Sequence, residues 1–182
     1  MRQVWMMAAW LLVGGAACSG DDGAGDTGGL SDVERMCLGE LGELEVLIGE
    51  GIGGAFQELE DGAQVGLEIA PQGGFGVSVA VRTTGLMGDA PALVTVRTEI
   101  DGVESAAFTF EQDGAPTQQL FCQDDGRSAL GSGIAVGFSS ADYTQDNLTD
   151  LDGVVADLIV EIVDERGEVA VGRKTVTIVV GG

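Results

Sequence analysis

The side chains able to do chemistry in this 182-residue chain are unbalanced: 30 carboxylates, eight cations, three cysteines and no histidine. Without imidazole the commonest general base is missing, and with it the Ser-His-Asp and Cys-His nucleophile systems. The only lysine, Lys174, falls inside a strand-like run rather than in a Ser-x-x-Lys motif. An acidic dyad for glycoside hydrolysis has many carboxylates to draw on, yet no spacing marks a pair. Sugar-binding modules rely on aromatic platforms, and beyond the first 17 residues the chain carries only Tyr143 and Phe side chains that a core needs. A formal net charge of −22 repels nucleic acid and anionic membrane surfaces, so nucleic-acid binding is excluded as a function class. The acidity serves solubility, with cation binding as a secondary role.

Four of the carboxylates, Asp142, Asp146, Asp150 and Asp152, fall in one predicted loop, and oxygen ligands are what Ca²⁺ prefers. An EF-hand register fails. Placing Gly153 at the invariant glycine puts Leu148 and Ile159 at the first and last ligand positions, where oxygens are required. What remains is a looser Ca²⁺ site between strands, with solvated loop acids as the alternative. Zinc is poorly served by a chain with no His and widely spaced Cys. Gly49-Glu50-Gly51-Ile52-Gly53-Gly54 matches G-x-G-x-x-G, with Glu68 further on, but a dinucleotide site needs a helix to open at the last glycines. The segment 55–61 is too short before Gly62, so the motif reads as a glycine loop. No cofactor is expected, Ca²⁺ apart. Asn147-Leu148-Thr149 fits a glycosylation sequon by pattern only.

The three cysteines need an export argument. A cationic start (Met1, Arg2), an apolar run over 4–13 and the small residues Gly14-Gly15-Ala16-Ala17 lead into Cys18. The run is too short to span a bilayer as a helix, for which about 20 residues are needed, and suits a signal sequence. The segment resembles the lipobox of bacterial lipoproteins, which are cut before a cysteine carrying diacylglycerol. It departs from that pattern at Gly15, where the family usually has Leu. Gly15-Ala16-Ala17 also satisfies ordinary signal peptidase, so a soluble secreted protein with a free Cys18 is the alternative. Residues 18–30, nearly all Gly, Asp, Ser, Ala and Thr, read as a flexible, disordered acidic linker. Ser19 directly after the cysteine implies, by that resemblance, outer-membrane rather than inner-membrane sorting. With Cys18 acylated, Cys37 and Cys122 remain as a disulfide pair in an oxidising compartment; two buried thiols or one reactive thiol are the other readings.

The elements that must position these groups are mostly strands. One short helix is signalled by the capping-box spacing of Ser31 and Glu34 and ended by Gly39. β-Branched runs broken by Gly, Pro and Asp then predict strands over 44–48, 64–70, 76–83, 93–100, 103–110, 118–122, 133–138, 155–163 and 168–180. Val77, Val79 and Val81 alternate on one face, as do Leu158, Val160 and Ile162, so one face packs and the other is largely wet. Asp101-Gly102 is a type I′ hairpin signal, and 164–167 joins the last two strands. The expectation is an all-β, immunoglobulin-like antiparallel β-sandwich over 31–182, with a jelly roll as the alternative.

The residues Leu44-Glu45-Val46-Leu47-Ile48-Gly49, Phe56, Asp61-Gly62, Pro71-Gln72-Gly73-Gly74, Gly85-Leu86 and Val163-Asp164-Glu165-Arg166-Gly167 together resemble myxobacterial-type surface lipoproteins with an immunoglobulin-like domain. The resemblance covers most of 40–180 and implies fold and address, with no biochemical activity to transfer. Three functions follow in order. The first is a membrane-tethered, non-catalytic interaction or structural module of the cell envelope, with an unidentified protein or envelope partner. The second is a Ca²⁺-dependent adhesion domain using Asp142 to Asp152, and the third a hydrolase with an acidic dyad.

Overall fold

The longest apolar alternations in the chain pair with each other. β6 (Ala90–Ile100), β13 (Val155–Val163) and β14 (Val169–Val179) lie antiparallel, with β13 in the middle. Their register stacks Val94, Val96 and Thr98 beside Ile162, Val160 and Leu158, all buried on one face. Each such Val, Leu or Ile withdrawn from water contributes about 1.5–3 kcal/mol. β7 (Val103–Thr109) adds to the free side of β6, and the short β3 (Ala63–Gly66) pairs parallel with β14. The computed structural model describes residues 29–181 apart from 52–54, 70–73, 132, 139–142 and 144–145.

A second group of strands is organised by β5 (Phe75–Thr84). One half of β5 is flanked by β1 (Glu45–Glu50) and β11 (Ser128–Leu130), the other by β4 (Glu68–Ile69) and β12 (Ile134–Gly137). β2 (Gln57–Glu58) folds back on β1, and β10 (Gln118–Cys122) joins β11 to the first residues of β6. The two groups share one core: Val46, Ile48, Val77, Val79 and Val81 pack in the same cluster as Leu158, Val160 and Ile162. Gly172 is required where β1 crosses β14, because a Cβ there would meet the Val46 carbonyl at 2.5 Å. Buried Thr98 donates its hydroxyl to the Gly137 carbonyl at 2.8 Å, a polar tie from β6 to β12.

The fold is all-β, with α1 (Asp32–Cys37) the one α-helix among the described residues and a 3-10 turn at Leu148–Leu151. The expected capping box forms: the Glu34 N–H donates to Ser31 Oγ at 3.2 Å, and the Ser31 N–H to Glu34 Oε2 at 2.7 Å. Asp101 and Gly102 have φ of 53° and 75°, both positive as a type I′ turn demands. Asp113 and Gly114 repeat this at 53° and 78°, between β8 (Glu111–Gln112) and β9 (Ala115–Pro116).

Differences from the expected strands have local causes. The run over 64–70 breaks at Leu67, whose N–H leaves for the Val179 carbonyl at the end of the β3–β14 pairing. β2, β8, β9 and β11 are two or three residues each, too short to carry a periodicity. Ile159, expected on the wet face of β13, is buried; the register sets Arg97 and Arg173 beside it, long side chains whose stems can cover apolar surface.

Candidate functional site at the helix pole

Four segments distant in sequence meet where α1 touches the sheets. They are α1 itself, the connection 85–89 between β5 and β6, the end of β10, and the turn 164–167 between β13 and β14. No side chain of α1 is fully buried, although Arg35, Met36 and Cys37 are half-buried and Met36 lies against Gly126, so packing accounts for only part of its place. Cys37 and Cys122 are joined, with Cα atoms 5.6 Å apart across a sequence separation of 85, which bonds α1 to β10. The Gly88 N–H donates to the Cys37 carbonyl at 2.7 Å.

The polar half of the pole is built on Asp164, whose side chain is fully buried. Oδ2 accepts from the Met87 N–H at 2.9 Å and from Arg166 Nε and Nη2 at 2.9 and 2.8 Å. Oδ1 accepts from the N–H groups of Arg166 and Glu168 at 2.9 and 3.0 Å. Burial is the largest influence on this carboxyl and pushes its pKa up; the Met87 N–H, the Arg166 guanidinium and the Glu168 N–H together outweigh it and hold the group below the ordinary aspartate value. Arg166 also donates from Nη1 to the Gly39 carbonyl at 3.1 Å and from Nη2 to the Gly85 carbonyl at 3.0 Å. Gly39 has a φ of +69° and no room for a Cβ, which would run into the Arg166 guanidinium and come within 2.7 Å of the Gly85 carbonyl. One ion pair therefore fastens the last hairpin to the helix end and to the β5–β6 connection.

Beside the disulfide lies an open groove of about 650 Å³, floored by Leu30, Val33, Leu38 and Met87 and rimmed by Asp89 and Asp124. Asp89 sits at a φ of +54° and accepts the Cys122 N–H at 3.0 Å, so it serves the local backbone.

The other sequence candidates are scattered. Asp152 accepts the Val180 N–H at 3.0 Å, and Asp150 lies in the first turn of the 3-10 segment, which buries Leu148 and Leu151. Among the described residues no three His, Cys, Asp or Glu side chains gather as a metal set. Asp142 and Cys18 lie outside the described residues. Gly49 and Glu50 of the glycine motif belong to β1, and β2 returns antiparallel onto them; residues 52–54 lie outside the described residues. Tyr143 packs against the core, partly buried. Lys174 donates to Glu58 Oε1 at 2.7 Å, and that hydrogen bond is the first cause of its raised pKa. Among the described residues no helix is long and apolar enough to cross a membrane.

Sequence reasoning missed Asp164 and Arg166 as a clamp. Val163-Asp164-Glu165-Arg166-Gly167 signals a turn, but nothing local announces that its carboxylate will be buried against the Met87 N–H or that Arg166 will reach the carbonyls of Gly39 and Gly85. Comparison of the chain with protein-family models, with curated proteins and with solved structures finds no match.

Proposed function

We propose that this protein is a membrane-tethered, non-catalytic module of the bacterial cell envelope. It is lipidated at Cys18 and presents an immunoglobulin-like β-sandwich that binds or spaces an envelope partner. The observation that carries the reading is the way α1 is secured. This helix directly follows the Gly- and Asp-rich stretch after Cys18, fully buries no side chain, and is bonded to β10 and clamped through Gly39 by Arg166. Tension arriving along an N-terminal tether reaches that attachment first. A covalent bond there passes it into the sheets before α1 can peel away. A disulfide also suits an exported address. The sandwich reading is supported by two strand groups that bury a common core and by alternating burial along β5 and β6.

Metabolic labelling with a fatty acid tests the tether. Wild type should carry the label in the membrane fraction and Cys18→Ser should lose it. Label retained by Cys18→Ser, or absent from wild type, contradicts the proposal.

A further inference from the structure

The groove beside the disulfide opens between α1 and the segments 87–89 and 122–124. Its floor is apolar, and Leu30 and Val33 stay 49% and 41% exposed there. Every ionisable side chain that lines it is a carboxylate: Glu34, Asp89 and Asp124. Glu34 and Asp89 each use one oxygen locally, Oε2 on Ser31 and Oδ1 on the Cys122 N–H. Asp124 is exposed and makes no hydrogen bond or ion pair among the described residues. Arg35 of α1 turns to Asp32 and Glu40, and Arg82 to Asp125, so neither neutralises the rim. Water-facing apolar side chains inside a ring of one sign of charge are a surface built for a partner of the other sign.

Resting on the interaction half of the proposed function, we infer that this groove is the docking site for a cationic segment of another protein. The segment seats a large apolar side chain on Val33, Leu38 and Met87 and sets basic residues against the three carboxylates. Burial at the floor supplies affinity, and the charges supply orientation and selectivity. Because the groove is open, a chain can enter it and leave it. A second copy of this chain does not fit. A two-fold contact sets the same patch on both sides, so carboxylate would face carboxylate. An anionic lipid surface is repelled on the same ground. The acids thus exclude self-association while admitting a basic partner, which is how specificity is obtained by adding repulsion to attraction. Both elements joined by the Cys37–Cys122 bond wall the groove, so a partner seated in it is held at the stitched pole.

The probe is a capped peptide, Lys-Gly-Leu-Leu-Gly-Lys, with its glutamate-ended counterpart as control, added to the full oxidised chain. Amide chemical shifts read the outcome. The lysine peptide should move the signals of Val33, Leu38, Gly88 and Gln123, and its affinity should fall by about tenfold or more in Asp124→Lys. Val33→Gln, at an exposed helix position, should weaken the same peptide without changing any charge. Glu104→Lys makes an equal charge change beside Glu99, at the far end of β6 from the groove, and should leave the affinity within about twofold. Equal binding of the two peptides, shifts located elsewhere, no response to Asp124→Lys or Val33→Gln, an equal loss in Glu104→Lys, or a wild-type dimer joined through the groove would each overturn the inference. Fatty-acid labelling at Cys18 does not depend on the groove, so failure here with labelling intact removes the docking site and leaves the tether.

Discussion

The wall formed by β6, β13 and β14 and the pole capped by α1 are held by opposite means. The wall is continuous apolar burial, with Leu158, Val160, Ile162 and Val176 all removed from water. The pole has little of this. α1 has no fully buried side chain, and its attachment relies on one disulfide, one buried carboxylate with its arginine, and a few backbone hydrogen bonds. Packing is distributed, so losing a side chain weakens the whole; the pole depends on a few groups whose removal releases one segment. A covalent stitch at this lightly packed element is what the tethered module proposed above needs.

The largest effect is expected in the wall. Leu158→Ala should cost about 4 kcal/mol, because it opens a cavity at a fully buried position on the central strand; urea unfolding should show a lower midpoint with α1 and the sheets melting together. At the pole, Cys37→Ser with Cys122→Ser should cost about 3 kcal/mol by freeing a long loop in the unfolded chain, read as a lower melting temperature for the variant than for the oxidised wild type. Asp164→Asn should come next, at roughly 2 kcal/mol, since it keeps the shape but removes the charge that the Arg166 guanidinium and three backbone N–H groups address.

Asp164→Asn also sets the pole apart from the wall through pH. The Asp164 carboxyl titrates lower in the folded protein than in the unfolded chain. Its contribution is therefore complete above the unfolded value, about pH 4, and is lost as pH falls through the lower folded value. Asp157 behaves likewise, lowered first by the Thr175 hydroxyl and then by Arg173. The stability gap between wild type and Asp164→Asn should accordingly shrink on acidification below about pH 4. A gap that widened there would mean the carboxylate is not what the clamp uses. The smallest effect is expected on the exposed face, where Arg173 lies between Glu99 and Asp157: Arg173→Gln should move the melting temperature by less than about 2 °C.

How much of this could be read in the residues differs between the same two regions. The wall was legible because its signal is periodic: strand 155–163 and the alternation of Leu158, Val160 and Ile162 are found as expected, and so is the Asp101-Gly102 turn. Asp113-Gly114 carries the same turn chemistry and could have been found by it. The helix of the pole was also legible, through Ser31 and Glu34, because a cap is a local device. The proposed pairing of Cys37 with Cys122 rested on compartment and arithmetic, and the structure brings the two together. What no local pattern carries is the Asp164 clamp or the burial of Ile159, since both depend on neighbours supplied by other strands.

α1 is held by its disulfide and the Arg166 clamp more than by packing, and hydrogen exchange of the oxidised and the reduced protein tests this most directly. The informative amides are those of Leu38, Gly39 and Glu40, which donate to Glu34, Met36 and Arg35 at the helix end, and those of Val155–Val163 in the wall. On reduction the first set should approach the rate of unstructured chain while the wall stays strongly protected. Protection that falls in parallel at both places, or a helix end that keeps its protection without the disulfide, would contradict the account.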